Sequence, residues 1–153
     1  MKKSVFVHYL IIAVILFASC NKSAEITDDE SLIFNYHRGS GWVGLDENLK
    51  ITADSTYYSI SHDLAGISYQ TSVKTSKEQW EQLTKTFRFS TFTKIKDESC
   101  GYIYDSPIVR FSVTINDETY SFYNGYCDKY YKQMEDFFDT ILEQANTLNK
   151  KNQ

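Results

Sequence analysis

Catalysis needs reactive side chains at spacings a fold can gather, and the 153-residue sequence offers few. His37 and His62 are far apart, and neither belongs to an H-E-x-x-H or similar ligand spacing, so no metal site is expected. No serine occupies a G-x-S-x-G elbow. Acidic pairs occur at Asp46-Glu47, Asp97-Glu98 and Asp117-Glu118. Each sits in a segment that reads as a turn, where aspartate is favoured for backbone reasons. Gly39-Ser40-Gly41-Trp42-Val43-Gly44 matches G-x-G-x-x-G, and Asp63 follows about 20 residues on, as in a dinucleotide fold. No helix follows to face a pyrophosphate, so the segment reads as a glycine-rich β turn or bulge. The expectation is a non-enzyme with no catalytic residue, no metal and no cofactor.

The three cysteines say more. Lys2 and Lys3 precede an unbroken apolar run, Tyr9 to Ala18, and then Leu16-Phe17-Ala18-Ser19-Cys20 closes the segment. A membrane-spanning helix needs roughly 20 apolar residues, so this stretch reads as an export signal over residues 1–19. The small pair before Cys20 resembles the lipobox of bacterial lipoproteins, with Phe17 where an aliphatic residue is commoner. The alternative is an ordinary secretory signal or a short anchor. On the lipoprotein reading Cys20 carries the lipid and becomes the first mature residue. Two or more acyl chains, at about 0.8 kcal/mol per buried CH₂, hold such a protein firmly on a membrane.

Cys100 and Cys127 then remain, an even pair in an oxidising compartment, and a disulfide is favoured over two separate buried thiols. It closes a loop of about 28 residues and contributes roughly 3–4 kcal/mol by the chain-entropy estimate. Beyond residue 19 the chain holds 14 basic and 20 acidic residues, a balance of −6, with no basic block. Nucleic acid is therefore not an expected partner.

Tyrosine is abundant, at 12 residues beside 10 Phe and 2 Trp. Most Phe fall at periodic positions and read as core. Tyr102, Tyr104, Tyr123 and Tyr126 instead lie in the two segments that a Cys100–Cys127 bridge brings together. Tyrosine offers large contact area at low conformational-entropy cost. That edge reads either as a surface for a protein or glycan or as a cap on the core.

These residues need a scaffold, and one domain of 134 residues suffices. Residues 20–31 read as an acidic tether, 32–148 as a single domain and 149–153 as a disordered tail. Acidic residues just after the lipidated cysteine also resemble surface-export signals of Bacteroidetes lipoproteins, so the periplasmic and cell-surface sides both stay open. Leu32–Arg38 reads as a first strand. Trp42–Leu45 and Leu49–Thr52 flank an expected turn at Asp46-Glu47-Asn48. Thr56–Ser61 and Ile67–Val73 are further strands. Ser76 and Gln79 form a capping box for a helix with Trp80, Leu83 and Phe87 on one face. Val109, Phe111, Val113 and Ile115 alternate with polar residues, and Asn116-Asp117-Glu118 turns the chain into a hairpin. Asp128 caps a last helix whose stripe is Met134, Phe137, Phe138, Ile141, Leu142 and Ala145. The order predicts an α+β fold, an antiparallel sheet with two helices on one face.

From Phe34 to Leu142 this pattern resembles the emfourin-type inhibitors of thermolysin-like metalloproteases. The points of likeness are Arg38-Gly39-Ser40-Gly41-Trp42-Val43-Gly44, the helix around Trp80 and Leu83, the strand Arg110–Ile115 and a closing helix. The lipid anchor, the cysteine pair and the long 53–75 segment depart from that family. The resemblance implies an α+β fold and a protease as partner, and it marks Arg38 and Trp42 as binding residues.

Overall fold

A computed structural model describes residues 31–40, 42–101 and 106–151. The expected export signal, Cys20, Tyr102 and Tyr104 lie outside the described residues. Six strands form one antiparallel sheet: β1 (Leu32–Ser40), β2 (Leu45–Ile51), β3 (Ser55–His62), β4 (Ile67–Lys74), β5 (Ile108–Ile115) and β6 (Glu118–Tyr123). Their spatial order is β4-β3-β2-β1-β5-β6. Helices α1 (Lys77–Thr86) and α4 (Glu135–Lys150) are long, whereas α2 (Phe89–Phe92) and α3 (Lys129–Lys132) are single turns. The fold is α+β.

Period-two alternation puts one side of each strand into the core. Phe34, Leu49, Tyr58, Phe111 and Phe122 are all buried on that side. The opposite face stays open, and the register lines up His37, Asn48, Ser59 and Gln70 across four neighbouring strands. Both bonds of the Ser76–Gln79 capping box are present at the start of α1. Its apolar face delivers Leu83 and Phe87 to the core. Phe34 joins the layers, with ring centroids 5.2 Å from Phe87, the C-cap of α1, and 5.1 Å from Phe137 of α4. Tyr131 stacks on Phe138 at 4.1 Å, and burial pushes its hydroxyl up to about 12.

Three expectations are corrected. Asp46-Glu47-Asn48 is not a turn but the middle of β2, and the chain reverses between Ser40 and Leu45 instead. Glu47 points inward, which an acidic residue does when a partner waits for it. Asp128 caps the isolated turn α3, its carboxylate accepting from the Tyr130 N–H at 2.7 Å, while α4 starts afresh at Glu135. The tail does not begin at 149: α4 runs on to Lys150 and buries Leu148.

The register gives the sheet two distinct ends. Leu32 pairs with Ile115 and Ile51 with Thr56, so the chain enters beside the 52–54 and 116–117 turns. Asn116 and Asp117 both have positive φ, the conformation of a two-residue type I′ hairpin. The far end holds the β1–β2 turn, the β3–β4 connection, the start of β5 and the end of β6.

Candidate functional site

The far end is built around the β1–β2 hairpin. Gly44 has φ +59°, and a Cβ there would lie 2.6 Å from the Cβ of Asp63, so only glycine lets the two connections touch. The Asp63 N–H donates to the Gly44 carbonyl at 3.1 Å, seating the 3₁₀ turn Asp63–Ala65 against the hairpin. The G-x-G-x-x-G segment is thus a hairpin connection. Trp42 stands 79% exposed at its tip.

Beneath the tip lies a buried carboxylate. Glu47 is 2% exposed and is held by the Arg38 Nε at 2.8 Å, the Tyr58 hydroxyl at 2.6 Å and the Tyr36 hydroxyl at 3.4 Å. The Arg38 Nε–H is not aligned on the carboxylate, so attraction of charge rather than a directed hydrogen bond joins that pair. Burial, and then the neighbouring carboxylate, holds both tyrosine hydroxyls well above their ordinary value. A carboxylate so sealed and so paired fixes the hairpin rather than meeting a substrate.

The second half of this end is the stapled region. The sulfurs of Cys100 and Cys127 are 2.11 Å apart, at bonding distance. The segment before Cys100 runs along β6: Asp97 accepts from the Tyr123 N–H at 2.9 Å, and the Glu98 N–H donates to the Tyr123 carbonyl at 2.8 Å. Tyr123 and Tyr126 are exposed, and the Arg110 guanidinium lies 5.2 Å over the Tyr123 ring. A Cβ on Gly125 would meet Ile95 and Phe122 at 2.6 Å, so this loop too is pressed against the core.

Arg38, Trp42, Tyr123, Tyr126 and the cysteine pair therefore share one end of the sheet. Arg38 works differently from the others, because its charge is spent on Glu47. Residue type and spacing do not single out Leu64, 75% exposed in the 3₁₀ turn, or exposed Ile67 and Ile108. Ile67 pairs with His62 and Ile108 with Gly39, so both belong to the same end. Of the eight large apolar side chains exposed among the described residues, six lie here: Trp42, Leu64, Ile67, Ile108, Tyr123 and Tyr126. From β4 to β6 they span about 24 Å, five strand spacings. That is the breadth of an ordinary protein contact.

The open face contributes a His37–Asp46 pair at 2.9 Å, with the Asn48 amide donating to the same carboxylate at 3.1 Å. Neither His37 nor His62 hydrogen bonds a serine or cysteine among the described residues, and the His62 ring accepts from the Ala65 N–H. The same residues hold no cluster of three or more metal-ligating side chains. What the far end offers is rigid, concentrated aromatic and apolar contact area. No protein-family model matches the sequence, and no characterised protein matches it.

Proposed function

We infer that the chain is an exported, lipid-anchored binding protein, not an enzyme, that holds a protein or glycan partner against the far end of its sheet. One observation carries this reading: among the described residues, six of the eight exposed large apolar side chains gather at the end opposite the one where the chain enters from Ser31. Soluble surfaces rarely concentrate apolar area in this way without a use. A tether attached at the near end leaves the far end directed away from the lipid. Photo-crosslinking residues placed at 42, 64 and 126 of the full chain in its cells are expected to give one shared adduct. Positions 53 and 117, at the near end, are expected to give none. Adducts of equal yield from both ends would sink the reading. The lipid is tested separately, because Cys20→Ala should abolish palmitate incorporation and membrane fractionation.

The protruding Trp42 hairpin supports a second reading, a tethered inhibitor of thermolysin-like metalloproteases, since a rigid tip with a large side chain suits a cleft. The full chain in detergent should then slow such a protease, and Trp42→Ala should relieve the effect. Undiminished proteolysis at high molar excess removes this reading.

A further inference from the structure

The far end leaves unexplained a groove on the other side of the molecule, where β4 forms the outer edge of the sheet. Backbone hydrogen bonds fix which of its groups look outward. The Asp63 N–H donates to Gly44 and the Thr75 N–H to Asp54. In an antiparallel ladder such bonded pairs alternate. Odd residues of β4 are therefore bonded to β3, and Ser68, Gln70, Ser72 and Lys74 turn their N–H and C=O groups outward. Eight residues long, β4 is exposed along most of its length and has neither proline nor bulge. Of the devices that protect sheet edges, it carries a lysine at its last position alone.

Beside this edge, between β4, α1 and α4, lies a groove of about 410 Å³. Val73 and Gln79 line two of its walls and Gln144 the third. Gln144 is 8% exposed, and neither its Nε2 nor its Oε1 has a hydrogen-bond partner among the described residues. A buried amide left unpaired at both ends is costly, and its terminal torsion is broad enough to turn toward a ligand. Lys74 and Lys151 also line the groove, neither with a carboxylate partner among the described residues, against the single Glu143.

We propose that the β4 edge and this groove form a site for an extended, acid-bearing peptide segment of another protein, which adds to the sheet as a seventh strand. The outward main-chain groups pair with the segment's backbone, as in strand addition generally. Alternate side chains then enter the groove, where Gln144 gains a partner and Lys74 and Lys151 meet carboxylate. The net positive lining selects an acidic segment over a basic one. This site is independent of the far-end surface.

The test uses the full chain in detergent and a fluorescent eight-residue peptide of alternating threonine and valine ending in two aspartates. Saturable binding by anisotropy is expected. Ser72→Pro, which deletes one outward donor and no ladder bond, should weaken it at least tenfold with circular dichroism unchanged. Gln144→Leu and Lys74→Glu, tested in parallel, should each weaken it at least threefold. Methylating alternate amides of the peptide should abolish binding, and exchanging its aspartates for lysines should weaken it. Absence of binding at millimolar peptide overturns the proposal, as does equal binding by wild type and all three variants. Sedimentation showing a dimer that Ser72→Pro dissociates would overturn it too, by giving the edge to a second copy of the chain.

Discussion

The two edges of the sheet differ in what lies beside them. At β6 the strand is six residues long, and a neighbouring segment takes both main-chain groups of Tyr123. The cysteine pair anchors that segment, and Phe89 packs edge-on against Tyr120 at 4.8 Å. At β4 eight residues run uncovered, beside a groove with an unpaired amide. Capping the end of the β6 edge at Tyr123 while β4 has no such segment among the described residues argues that the β4 edge is kept for use, because open strands otherwise invite aggregation.

The largest expected effect comes from undoing the closed side. Replacing Cys100 and Cys127 together by alanine should lower the unfolding free energy by about 3–4 kcal/mol, read by urea denaturation. Amide exchange at Glu98 and Tyr123 should accelerate while exchange in β3 does so only through global opening. Uniform acceleration would mean the staple does not act on this edge.

Proline scanning comes next. Thr71→Pro removes a bond to β3 and should cost about 3 kcal/mol, on the order of other interior prolines. Its neighbour Ser72→Pro should stay within about 0.5 kcal/mol. Equal penalties at the two positions would mean that the outward face of β4 is already engaged. Asp97→Ala leaves the Tyr123 N–H without its charged acceptor and should cost about 1.5 kcal/mol. Gln144→Leu on the open side should have the opposite sign, stabilising the free protein by about 1 kcal/mol as an unpaired amide disappears.

Alkali gives the gentlest probe. Tyr36, Tyr58 and Tyr131 have hydroxyls raised above the ordinary value of 10.0, chiefly by burial. A group raised in the fold favours folding fully below its unfolded value and loses that contribution as pH climbs past it. Stability should therefore hold to about pH 10 and decline above it, with the tyrosinate absorbance of these three groups appearing alongside unfolding. Peptide binding at β4 should survive to the same point and vanish with the fold.

Much of this architecture is legible in the order of residue types. The hairpin over Val109–Phe122 is plain because alternation and a turn coincide, and the helix from Lys77 because a capping box precedes an apolar face. Asp46-Glu47-Asn48 shows where such reasoning fails. Leu45, Leu49 and Ile51 keep a period of two through the triplet, but three adjacent polar residues suggest solvent. Only its neighbours on the adjoining strands, Arg38, Tyr36 and Tyr58, explain an acid on the inward side. The far-end surface is half visible: Trp42 and the tyrosines stand out by type, whereas Leu64, Ile67 and Ile108 are indistinguishable by type from core residues.

Sequence by itself determined what local chemistry can fix, the strand and helix periods and the caps; an export signal before Cys20 is an expectation from it. Tertiary structure decided everything that depends on which strands become neighbours. Among the described residues, strand order made β4 an edge, brought six separate apolar side chains to one end, and left Gln144 buried without a partner. Hydrogen bonding and burial are relations between distant residues, so no window of sequence contains them.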